Sequence, residues 1–446
     1  MGCLPCYKRW IQLGFAAALF MSSWHVALAA DDTGHLFNNA QQITATQLVK
    51  AVLVRNPGLS AMRSAEDAAS AVVTPAGSLD DPTLAYTLAP RTIGGYRTPG
   101  GKFRNFNQSI TLSQAIPWPG TLDLRGKIAT AEAESVTQKL ADFRLQLAER
   151  TRAAYAQWYY VHQALAVNRE NQTLVQRLRK VAETAYSSGQ APQQDVLQAE
   201  VELIRLQNQA LEIKRRRTTV QARINGLLNR DPQTLLAAPL DLPLAGHLPD
   251  YAGLQKTALA QYPALKRLDA EIAAGQARVD LARKGFYPDF KLSTSYNSLW
   301  DAPEKQVIVG ASINIPISAK HQGELDAVTA RLAQSRSELL DARANLLSNV
   351  DQSYQTAAQA KDSIALYTDR LLPLARLNLK AAESDYSGGN GDFLKVITAE
   401  QQYLTAKLEL ARTRADFYTQ LAALDYQTGG ALTHMPTANQ TRETKP

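Results

Sequence analysis

The chain has 446 residues, is 45% hydrophobic, carries a formal charge of +7 and holds only two cysteines, Cys3 and Cys6. So mild a basicity, spread over this length without aromatic interleaving, argues against a nucleic-acid partner. Past residue 30 no run approaches the ~18 apolar residues of a membrane-spanning helix, so a membrane could be entered only with strands.

Lys8 and Arg9 precede an apolar run from Ile11 to Met21, and Ala27-Leu28-Ala29 supplies the small residues of a cleavage site. Residues 1–29 are therefore expected to be a secretory signal peptide. Cleavage would remove both cysteines and lower the charge to +5, since Lys8 and Arg9 go with the leader. An exported chain without disulfides suits a bacterial envelope protein stabilised by packing.

A first structural unit is expected over residues 30–230. It starts with a short helix running into Asn56-Pro57-Gly58-Leu59. Residues 83–91 and 106–116 follow as strands around a Gly/Arg/Thr-rich connection at 92–105. Pro117 and Pro119 stop the second strand. Residues 127–188 contain no Gly or Pro, and Val136, Leu140, Phe143, Leu147, Ala154, Trp158, Val161 and Leu165 trace one apolar helical face. A helix of that length would reach about 90 Å. With its return segment it makes long helices over about 121–188 and 192–228. Lys214-Arg215-Arg216-Arg217 lies on that return segment and reads as a solvated helical face.

Residues 231–248, rich in Pro and Leu, form a linker, and a second unit over 249–430 repeats the plan. Its preface matches at an offset of 206, with Tyr262-Pro263 for Asn56-Pro57. Its strands are expected at 290–299 and 306–317, where Val307, Val309, Ala311, Ile313, Ile315 and Ile317 share one face, and its helices at about 320–387 and 392–428. The strongest repeat sits at the two turns. Tyr186/Tyr386, Ser187/Ser387, Gly189/Gly389, Val196/Val396, Ala199/Ala399 and Glu200/Glu400 match at an offset of 200. Each copy reads as the glycine turn of a long helical hairpin. Residues 431–446 lose periodicity and are expected to be a flexible tail.

Alternation over about ten residues suits a transmembrane barrel strand, although a soluble hairpin alternates as well. Tyr86, Tyr96, Tyr296 and Trp300, placed at strand ends, would form an interfacial aromatic belt. Four strands cannot close a barrel, and an open edge cannot face lipid. Several chains must then pool their strands, and the alanine-rich helices need neighbours too.

The duplicated plan resembles the TolC-like outer membrane factors of bacterial tripartite efflux and type I secretion systems. The likeness covers residues 43–428. It is carried by the order and doubling of four stretches: the preface from Ala51 to Leu59, Ser113-Gln114-Ala115-Ile116-Pro117-Trp118-Pro119-Gly120, the turn motif from Tyr186 to Glu200, and Tyr287-Pro288-Asp289-Phe290. The resemblance implies a mainly α fold with a β-barrel portion: a homotrimer whose twelve-stranded outer-membrane barrel continues into a periplasmic α-helical barrel. It also implies as partners a periplasmic adaptor protein, an inner-membrane pump and outer-membrane lipid, with no cofactor. Among branches the chain is most similar to the one serving heavy-metal cation pumps of the resistance–nodulation–division class.

The resemblance puts Ser188, Gly189, Gln190, Gly388, Gly389 and Asn390 at hairpin tips that would dock adaptor and pump. It puts Asp195 where the family has an acidic gate residue and Tyr386 where it often has the tyrosine partner. Two departures stand out. Gly391 replaces a basic residue common in the family, and Lys395 and Thr398, with Asp392 just before them, stand where some members have aspartates. Three copies of Lys395 facing an axis would repel cations. Asp195 fits either a gate or a turn-and-cap role, whereas Asp392 fits the cap of the helix behind it.

His35, His162, His247, His321, His434, Met62 and Met435 show no ligand spacing, so metal selectivity is expected in partner proteins. No nucleophile–base pattern or phosphate loop argues for an enzyme. A passive exit duct is the leading reading. Type I secretion, a periplasmic coiled-coil adaptor and an envelope hydrolase are the alternatives.

Overall fold

The computed structural model describes residues 42–90, 106–242, 248–297 and 306–434. The expected signal peptide, His35, the connections at 92–105 and 300–305 with Tyr96 and Trp300, His247, Met435 and the tail beyond 434 lie outside the described residues.

Each half opens on two short helices whose caps are written in the sequence. α1 (Ala45–Arg55) starts at Thr44, whose hydroxyl accepts from the Gln47 amide at 3.2 Å while the Gln47 side chain accepts from the Thr44 amide at 3.0 Å. Asn56 ends α1 and caps α2 (Pro57–Ala76), accepting from Gly58 at 3.0 Å, with Pro57 in the first turn where its missing N–H costs nothing. In the second half Asp250 caps α5 (Tyr251–Gln261) through Gly253 at 2.8 Å, and Pro263 opens α6 (Pro263–Lys284).

Among the described residues four strands form one antiparallel sheet in the order β1 (Thr83–Pro90), β2 (Phe106–Ile116), β3 (Phe290–Asn297), β4 (Val307–Ile313). The register sorts side chains by face. Tyr86, Ile110, Tyr296 and Val307 share one row, and Leu84, Leu112, Thr294 and Val309 the next, so one face is predominantly apolar. The other face carries Thr83 beside Ser113 (2.7 Å between hydroxyls), Thr111 donating to Ser295 (3.2 Å), and Gly310. Among the described residues both outer strands, β1 and β4, present unpaired edges. Two expectations need correction. β4 ends at Ile313 rather than Ile317: the Asn314 amide makes a last in-register bond to the Asp289 carbonyl at 3.1 Å, and Pro316 beyond it has no N–H with which to extend the ladder. Tyr86 stands mid-strand rather than at an end, because its partner Ile110 lies inside β2.

Gly120, at φ +86°, turns the chain into α3 (Thr121–Ser187), a helix of 67 residues. α4 (Gln193–Leu227) runs back along it, and the second hairpin consists of α7 (Lys320–Leu366), α8 (Leu372–Ser387) and α9 (Phe393–Gln427). α3 and α9 pack centrally, with α4 on α3 and with α7 and α8 on α9. Towards its tip α3 buries Asn168, Asn171, Val175, Leu178 and Ala182, alternating steps of three and four that form a coiled-coil seam. The helix expected over about 320–387, with Pro373 as its one break, is interrupted just before that proline by a π-turn at Tyr367–Leu371. Pro373 cannot donate, and its ring would collide with the carbonyl four residues earlier; one extra residue in the turn relieves both. Lys214, Arg215 and Arg216 are solvent-exposed on α4 while Ile213 beside them is buried.

The main core sits halfway along α3, where Tyr155, Trp158 and Leu165 meet Leu48, Val52, Ile224 and Ala237. There the linker is fastened to α3. The Trp158 indole donates to the Ala237 carbonyl at 2.9 Å, and the Tyr155 hydroxyl lies 2.8 Å from the carbonyls of Ile43 and Leu240.

Candidate functional site: the hairpin tips

Both tips reverse through glycine in the left-handed region, Gly189 at φ +71° and Gly389 at φ +77°. The Gly189 and Gly389 amides donate to the Tyr186 and Tyr386 carbonyls at 3.0 Å, and Gln190 and Asn390 donate to Ala185 and Asp385 at 2.8 and 3.0 Å. These bonds satisfy carbonyls that the helix ends would otherwise leave free. Ser188, Gly189, Gln190, Gly388, Gly389 and Asn390 are all exposed at one end of the molecule.

Asp195, in the first turn of α4, is only 8% exposed. Tyr386, at the end of α8, donates its phenol proton to Asp195 Oδ2 at 2.9 Å, joining the two hairpins of one chain. Burial and donation to a carboxylate both push the Tyr386 phenol above its ordinary value, so it stays protonated. Its ring lies edge-on to Phe393 at 5.1 Å, which holds it in place.

Asp392 and Lys395 are not part of this contact. Asp392 is the N-cap of α9 and accepts from the Leu394 amide at 3.0 Å; Lys395 is exposed. The missing basic residue at 391 has a steric cause. A Cβ on Gly391 would stand 2.7 Å from the Tyr386 backbone nitrogen and 2.9 Å from the Asp385 carbonyl carbon, so no side chain fits without moving the turn. Since Asp392 acts as a cap, Asp392→Ala is expected to cost about 1 kcal/mol of stability. Thermal unfolding of the variant checks this; an unchanged melting temperature would remove the cap role.

Among the described residues no cluster of His, Cys, Asp and Glu could hold a metal. His162 is packed against Trp158 at 4.4 Å, its Nε2 buried without a hydrogen-bond partner, and burial lowers its pKa to about 4. Three polar features are missing from the sequence reading. Arg152 pairs with the buried Asp425 at 2.6 Å; Tyr262 donates to Tyr426, which donates to Asp142; and Glu400 is buried near Glu202. None is announced by its local sequence; Glu400 stands out there only as half of the matched pair Glu200/Glu400.

The family model "Outer membrane efflux protein" matches residues 48–230 and 254–430, one stretch for each half of the fold. The chain belongs to the outer membrane efflux protein family. The cobalt-zinc-cadmium resistance protein CzcC of Cupriavidus metallidurans is 24% identical over 172 residues, 39% of this chain and 41% of that protein. The cation efflux system protein CusC of Escherichia coli is 25% identical over 283 residues, 61% of this chain and 57% of that one. The chain thus spans about half the length of these curated relatives. Two solved structures share the fold: the outer-membrane channel OprN (TM-score 0.75, 19% identity, 88% of this chain and 94% of that one) and the outer membrane protein VceC of Vibrio cholerae (TM-score 0.75, 18% identity, 86% and 96%).

Proposed function

We propose that three copies of this chain assemble into the outer-membrane exit duct of a tripartite efflux system, passively conducting what an inner-membrane pump and a periplasmic adaptor deliver. The observation that carries this reading is the sheet: apolar on one face, polar on the other, and open at both edges. In lipid every backbone donor needs a partner, so the edges of β1 and β4 must pair with other copies. The helices make the same demand. α4 exposes Leu197, Val201, Ile204 and Leu211, and the α7–α8 side exposes Leu366, Leu371, Leu374 and Leu377. Two different apolar stripes on opposite flanks suit a head-to-tail interface that closes into a ring.

No helix among the described residues is long and apolar enough to cross a membrane, which leaves the crossing to strands. The hairpin tips then lie in the periplasm, where Ser188, Gly189, Gln190, Gly388, Gly389 and Asn390 form the surface for adaptor and pump. The pump is of the resistance–nodulation–division type, and the names of CzcC and CusC favour metal cations as its cargo. The chain itself is a conduit and not an enzyme. Type I secretion is the second reading, favoured by a likeness to a toxin and drug export protein of Aggregatibacter actinomycetemcomitans, 21% identical over 79% of this chain.

The Asp195–Tyr386 bond is the latch of the resting entrance. The purified protein in a planar bilayer should show a small resting conductance that rises severalfold in Asp195→Ala. A resting conductance unchanged by that substitution would remove the latch role, and a preparation that never conducts would remove the duct.

A further inference from the structure

The fold treats the repeated glutamates differently. Glu200 is half-exposed, 3.9 Å from Arg179. Glu400, on α9, is 0% exposed. Its Oε1 accepts from the Asn171 side-chain amide of α3, while its Oε2 is buried with no hydrogen-bond partner among the described residues. Beside it, from α4, stands Glu202, 5% exposed, whose Oε2 accepts from Gln401 at 2.8 Å and from Arg205 at 3.1 Å.

Among the described residues the charges acting on Glu400 are few. α4 presents Glu202 and Arg205. α3 presents the neutral Asn171, its Arg179 being turned to Glu183 and Glu200 and its Glu170 to Lys407 of α9. α8 buries Ala375 and Leu379 against α9 and leaves Arg376 and Lys380 exposed. Two buried carboxyls therefore share one guanidinium that is itself 66% exposed. A buried carboxylate oxygen without a donor is costly, and a second negative charge beside it more so. A proton on Oε2 removes the buried charge and with it the repulsion from Glu202.

We propose that Glu400 is a proton-binding site that couples the two hairpins behind their tips: protonated, it lets α4 and α9 close on each other, and ionised, it repels Glu202 and loosens them. Burial first, and the charge of Glu202 second, raise its pKa from 4.5 to about 7. The folded-state value lies above the unfolded one, so the stabilisation is complete below about 4.5 and is lost as the pH rises through about 7. Two side-chain bonds, Tyr386 to Asp195 and Gln401 to Glu202, tie α4 to the second hairpin next to this site. Any effect on the entrance rests on the exit-duct reading; the protonation does not.

Infrared difference spectra of the full, detergent-purified chain between about pH 5 and about pH 9 test it. A carboxylic C=O band should disappear with a midpoint near 7 in the native protein and be missing in Glu400→Gln. The melting temperature of the native protein should fall over the same interval, and that of Glu400→Gln should stay level. Should Glu400→Gln fail to fold, Glu202→Gln decides: removal of its charge must lower the midpoint. A native protein without a carboxyl band titrating near neutrality, a band that survives in Glu400→Gln, or a midpoint unmoved in Glu202→Gln would each overturn the proposal. None of these results depends on whether the protein conducts.

Discussion

Val309→Arg is expected to abolish the assembled protein in the outer membrane. Val309 is 81% exposed in the single chain and sits inside the sheet on its apolar face, in a row with Leu84, Leu112 and Thr294. An arginine at the middle of a lipid-facing strand costs about 2–4 kcal/mol, and a threefold assembly bears that cost three times. Ser312→Arg, on the opposite face of the same strand, should assemble normally, because in the proposed barrel that face lines the lumen and meets water. Heat-modifiable gel migration of outer-membrane fractions distinguishes them. Equal assembly of both variants would mean that the apolar face does not meet lipid.

Trp158→Ala is expected to destabilise the helical body by about 3–5 kcal/mol. The indole is 2% exposed, fills the main core and fastens the linker through Ala237. Trp158→Phe keeps most of the packing and leaves the Ala237 carbonyl without that donor, at about 1–3 kcal/mol. Melting followed by circular dichroism gives the order native, Trp158→Phe, Trp158→Ala. Limited proteolysis should cut within residues 231–242 first in the alanine variant. A linker that stays protected when the indole is gone would show that the Tyr155 hydroxyl, the backbone bonds with Ile43 and the Asn225 side chain suffice to hold it.

Much of this architecture can be read without coordinates because its signals are local. Gly189 and Gly389 announce reversals, since few other residues adopt a positive φ. Asn56-Pro57 marks a helix junction by cap chemistry, and the alternation of β4 marks its faces. What stays hidden depends on distant partners. The π-turn at Tyr367–Leu371 is foreshadowed by Pro373, but a proline does not say whether a helix will break, kink or take up an extra residue. The fastening of the linker joins Trp158 to a carbonyl 79 positions away. Identical glutamates at 200 and 400 give no sign that one faces solvent and the other a second acid, because burial is decided by which helix arrives opposite. The tip behaves likewise. Asp195 and Tyr386 come together across 191 positions, whereas Asp392 is explained by its own helix and Gly391 by its own turn.

The most direct test of the central claim is the mass of the assembly. Native mass spectrometry of the chain extracted from outer membranes in detergent should give three copies, with the complex lost when detergent is withdrawn. A single copy that stays dissolved in water without detergent would contradict the account, since a sheet open at both edges would then have no need of neighbours.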